Sequence, residues 1–85
     1  MILKIFAVRD RATDSYGNPM FLVSEGQAVR SFTDEINRQD KDNQLWMHPD
    51  DFDLYFLGEY LTETGVFNTH TPSMVLVGKS AAIRN

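Results

Sequence analysis

The sequence predicts an α+β domain: a four- to five-stranded antiparallel or mixed sheet with one long helix on one face. Three observations carry this. Met1 to Arg9 and Phe52 to Leu61 are long runs of branched and aromatic residues at strand spacing. A single apolar stripe, Ala28, Val29, Phe32 and Ile36, recurs at helical spacing behind a capping signal. The 85 residues, 42% of them apolar, supply one core and no second. Residues 1–79 are expected to form the domain and 80–85 a flexible C-terminal tail.

In the first strand Leu3, Ile5 and Ala7 alternate with Ile2, Phe6 and Val8, so both faces are apolar and the strand is expected to be central. Asp10 to Pro19 is a polar loop with Gly17, Asn18 and Pro19 as turn residues, leading to a short strand at Met20 to Val23. Ser24 is followed three positions later by Gln27. The serine can cap the first helical turn while the glutamine reaches back. Gln39 to Gln44 ends the helix in a solvated loop, and Leu45, Trp46 and Met47 return to the core.

Pro49, Asp50 and Asp51 suit one short helical turn, with proline first and the acids against the free amides. The strand that follows shows Phe52, Leu54, Phe56, Gly58 and Tyr60 on one face and Asp53, Tyr55, Leu57 and Glu59 on the other. Thr62 to Gly65 turns it into a hairpin reaching Thr69, and Met74 to Val77 is a last short strand. One helix covers one sheet face, yet both long strands are two-sided. The uncovered face is expected to be buried in a homodimer or against another partner.

Composition narrows the chemistry. Without cysteine there is no disulfide framework, thiolate metal site or cysteine nucleophile. Apolar runs no longer than four residues, as at Met74 to Val77, are too short for a membrane span, and no signal peptide is expected from an N-terminal run that carries Lys4 within a strand-like pattern. The net charge of −4 disfavours general attraction to nucleic acid, and it is concentrated: residues 31–63 carry −7 while the flanking segments are slightly basic.

Val77-Gly78-Lys79-Ser80 ends like a phosphate-binding loop, but Ser73 stands where the earlier glycine belongs and no helix has room to follow. His48, Asp50, Asp51 and Asp53 could contribute to a divalent metal site, although only His70 elsewhere resembles a ligand. The preferred expectation is no metal, no cofactor and no catalytic residues, with a metal-dependent nuclease as the enzymatic alternative. For single-stranded nucleic acid the candidates are Arg9, Arg11 and Arg30 for phosphate and Tyr16 for stacking. For a dimer or partner surface they are Tyr55, Leu57, Asp53 and Glu59.

Several blocks then line up in order: Val8-Arg9-Asp10-Arg11-Ala12; Ser15-Tyr16-Gly17-Asn18-Pro19-Met20-Phe21; Ala28-Val29-Arg30-Ser31-Phe32; and His48-Pro49-Asp50-Asp51-Phe52-Asp53-Leu54-Tyr55-Phe56-Leu57-Gly58-Glu59-Tyr60, with Thr64-Gly65 behind. Together they resemble the small nonstructural protein of gokushoviruses and related single-stranded DNA microviruses, over about residues 1 to 67. The resemblance implies an accessory role in viral single-stranded DNA synthesis in the bacterial host cytoplasm, and brings no catalytic set. Two modes of action follow. One is an acidic adaptor docking on the viral replication initiator or a host replication protein; the other is a weak single-stranded DNA binder.

Overall fold

The computed structural model describes residues 1–83. In chain order it contains β1 (Ile2–Asp10), β2 (Ser15–Tyr16), β3 (Met20–Leu22), α1 (Glu25–Asn37), α2 (Gln44–Met47), a 3-10 turn (Pro49–Asp51), β4 (Phe52–Leu61), β5 (Val66–Val77) and α3 (Gly78–Ala81). The sheet order is β2-β1-β4-β5, with β3 also pairing with β1, and every pairing is antiparallel. The expected α+β architecture is therefore present, with β1 central.

Local chemistry explains α1. The Ser24 hydroxyl accepts from Gln27 N at 3.2 Å, and Gln27 Oε1 accepts from Val23 N at 3.2 Å, so the serine–glutamine pair closes the first turn. The stripe then buries Ala28, Phe32 and Ile36 against Phe6, Phe52 and Leu54 of the sheet. The polar segment behind α1 is less solvated than its composition predicts. Asn43 is buried; its amide donates to Glu35 O (2.8 Å) and Arg38 O (3.0 Å) while its carbonyl accepts from Leu45 N (3.1 Å). One side chain thus closes the end of α1 and opens α2.

At the other end of the chain, the looseness expected from Ser80 onward does not extend to the described residues. Gly78–Ala81 is helical, Ala81 is in the core, and Asn37 bonds to both Ala81 O (3.0 Å) and Ile83 N (3.0 Å). Residues 84–85 of the expected tail lie outside the described residues. Gly78 permits this docking, because a Cβ there would overlap the carbonyl oxygens of Pro49 and Phe52.

The strand beyond the hairpin is continuous from Val66 to Val77, not two pieces. Its pairing with β4 jumps from Phe56↔Ser73 to Gly58↔Thr69, leaving His70, Thr71 and Pro72 opposite Leu57. Proline is tolerated in this bulge because no regular ladder bond is required of it.

Candidate interaction surface

The irregularity at Leu57 decides which side chains share a face. β1 pairs Phe6 with Phe56 but Ile5 with Gly58, so Leu57 is an extra residue in β4. One inserted residue reverses the inward and outward assignment of everything beyond it. The regular alternation expected for Phe52 to Leu61 is corrected accordingly. Tyr60, opposite Leu3 and Phe67, joins the face of Tyr55, while Glu59, opposite Lys4 and Asn68, moves to the face of Phe56.

The side of the sheet away from α1 thereby gathers aromatic rings. Tyr16 meets Tyr55 edge-on at 5.4 Å between centroids; Phe21 meets Tyr60 at 5.9 Å and Phe67 at 6.1 Å; Tyr60 and Phe67 are 4.7 Å apart. Beneath them Ile5 and Ala7 are buried, because larger cross-strand neighbours, Phe21 beside Ile5 and Tyr55 beside Ala7, flank these shorter side chains. The rings themselves remain accessible: Tyr16 is 43% exposed, Phe21 41% and Phe67 56%, and Met74, opposite Tyr55, is 52% exposed. Contiguous exposed rings of this kind characterise contact surfaces.

Gly58 makes the arrangement possible. Its φ is +145°, and a Cβ would overlap Asn68 O and lie 2.6 Å from Thr69 Cα. Only glycine lets β4 and β5 approach so closely there.

The arginines beside this face already have anionic partners. Arg9, opposite Tyr16 and Asp53, pairs with Asp14, which raises the guanidinium above its ordinary pKa with a smaller contribution from Tyr55. Arg11 Nε lies 3.1 Å from Asp53 Oδ2, and its Nη2 donates to Asp50 O. Asp53 is 1% exposed, and its other oxygen accepts from Gly78 N at 3.4 Å. This pair fastens the loop after β1, the start of β4 and α3 together. Asp53, expected on a partner surface, is instead a buried tie, and Arg11 is its counter-ion.

The remaining expected residues scatter. Arg30 is exposed on α1, against the opposite face of the sheet from Arg9 and Tyr16, and lines a surface hollow with Gln27, Ser31, Asp34 and Glu35. Leu57 sits in the bulge. Of the two predicted groups, only Arg9, Tyr16 and Tyr55 come together with an accessible ring. Phe21, Tyr60 and Phe67 were not among the expected surface residues. For Tyr60 the signal that could have found it was Gly58 within an apolar strand, a mark of a bulge.

His48, Asp50 and Asp51 line a hollow of about 250 Å³ with Met47 and Pro49. Among the described residues no three His, Asp or Glu side chains converge as a metal-binding group, and no helix is long and apolar enough to cross a membrane.

A protein-family model described as "Phage ORF5 protein" matches residues 3–83. No curated protein and no solved structure matches the chain.

Proposed function

The chain belongs to the phage ORF5 protein family, and from that premise we propose that it is a nonenzymatic accessory protein of viral single-stranded DNA synthesis that binds a replication protein in the host cytoplasm. The observation that carries this reading is the open aromatic face, Tyr16, Tyr55, Phe21, Tyr60 and Phe67, whose neighbouring arginines are already neutralised by Asp14 and Asp53. Rings without free cations favour a protein surface over a phosphate backbone, since few counterions would be released on contact with DNA. The acidic middle of the chain, around Asp34 to Glu63, is suited to steering toward the basic surfaces of DNA-handling proteins. The likeness to the gokushovirus nonstructural protein supports the same assignment.

The experiment is calorimetric titration of the purified replication initiator of the same phage. Saturable binding that weakens at least about tenfold in Phe21→Ser or Tyr55→Ser is expected, as for loss of a buried aromatic anchor. Binding unaffected by both substitutions would place the contact elsewhere, and no binding would remove the initiator as partner.

A second reading, weak binding of single-stranded DNA, is favoured by one juxtaposition. Tyr16 and Tyr55 stand beside Arg9 on the same open face, the pairing of ring and cation that stacks a base and meets a phosphate. Arg9→Ala is its informative variant, because Arg11→Ala would also strand the buried carboxylate of Asp53.

A further inference from the structure

The outer edge of the sheet presents a separate feature. β5 is an edge strand of twelve residues, paired only with β4 among the described residues. Its residues 66–74 are exposed throughout. From Val66 to Val77 it carries no Asp, Glu, Lys or Arg, although the chain as a whole is 24% charged. Soluble proteins usually protect such an edge with charge, with short length, or with proline and bulges. Here the bulge with Pro72 and a second register shift at Val75 interrupt the strand from residue 70 onward, which leaves Val66–Thr69 in regular register with β4, uncharged and unpaired on its outer side, ending the aromatic row at Phe67.

We infer that this edge pairs with a second copy of the chain, the segment centred on Phe67 running antiparallel to the same segment of its partner about a two-fold axis between the two Phe67 residues, so that Phe67 faces its own counterpart and Val66 faces Asn68. Charge selects this occupant. A basic replication protein or a nucleic acid would find no anion or cation on the strand to answer it, whereas identical uncharged strands meet without like-charge repulsion. Two chains of net charge −4 would associate through such a neutral segment in preference to their acidic surfaces. Antiparallel pairing of identical strands closes after two copies, so it consumes the edge without building a filament.

The geometry has a consequence for the open face. A two-fold axis perpendicular to the sheet keeps the same side of both protomers facing the same way. The two aromatic rows then join across the paired edges into one longer surface. The face expected to be buried in a homodimer is extended by this dimer and stays open. The pairing stands or falls independently of what that face binds.

The test is molar mass by light scattering at tens of micromolar, for the wild-type chain, Phe67→Lys, Phe67→Glu and an equimolar mixture of the two variants. A wild-type mass near twice 9.7 kDa is expected, with each variant alone monomeric and the mixture restored to dimer. Restoration would show that residue 67 meets its own counterpart, and circular dichroism matching wild type would show that the variants remain folded. Tyr16→Ser, at the far end of the row, is expected to stay dimeric, which separates edge pairing from stacking of the faces. A monomeric wild type, a dimer indifferent to both Phe67 variants, or a dimer dissolved by Tyr16→Ser would overturn the inference.

Discussion

Single residues hold this fold at points where the backbone has no other solution. Gly58→Ala would force a Cβ onto Asn68 and Thr69 at a φ of +145°. A loss of about 3 kcal/mol or more is expected, combining backbone strain with overlap, and denaturant unfolding would read it as a lower midpoint. Asn43→Leu keeps the branching at Cγ but abandons two carbonyls and one amide at the α1–α2 joint, for an expected cost of about 1–3 kcal/mol. Exposed charge behaves differently. Glu35 lies below its ordinary pKa chiefly because Arg38 bonds to it, and Asp40 is lowered first by the Asp42 amide and then by Arg38. Groups with depressed folded-state pKa values stabilise the protein above their unfolded values and lose that contribution as pH falls through the folded ones. Melting curves should therefore separate wild type from Arg38→Gln at pH ~7 and converge progressively as pH falls below the ordinary carboxylate range of roughly 4 and through the lowered folded-state values. A gap that stays constant would show that Arg38 acts by packing alone.

Among the elements, α1 was the most legible in the sequence because its signals are local. Ser24 and Gln27 mark the start, and the stripe from Ala28 to Ile36 marks the buried side, without reference to any distant residue. Ser24→Ala should accordingly lower stability by about 1 kcal/mol, with Asn as a conservative rescue; an unchanged melting midpoint would contradict the capping role. The strands were legible as strands, but their faces were not. Leu57 looks like any other apolar residue in an alternating run, and only its partners on β1 and β5 reveal it as an insertion that carries Tyr60 to the open side and Glu59 away from it. The same limit applies to α3. Gly78 to Ala81 has neither the length nor the caps to announce a helix, and it is held by Asn37 and Asp53, which are distant in sequence. Arg11 and Asp53 illustrate the converse, since each has the composition of a surface site and the half-exposed guanidinium neutralises a buried carboxylate.

At the scale of the molecule, one helical layer covers one side of a five-stranded sheet and leaves an aromatic surface on the other, bordered by an uncharged edge. Surface chemistry distinguishes the two functional readings. A chain of net charge −4, whose Arg9 and Arg11 already face carboxylates, has little cation to offer a phosphate backbone, and its exposed rings suit a protein partner. The measurement that bears most directly on this is fluorescence anisotropy of a labelled single-stranded oligonucleotide titrated with the protein at about 50 mM and about 200 mM salt. The adaptor reading predicts no saturable binding at either salt while the protein remains folded. Saturable binding that weakens steeply with salt and disappears in Arg9→Ala would contradict it, and would place the function of the aromatic face on the DNA itself.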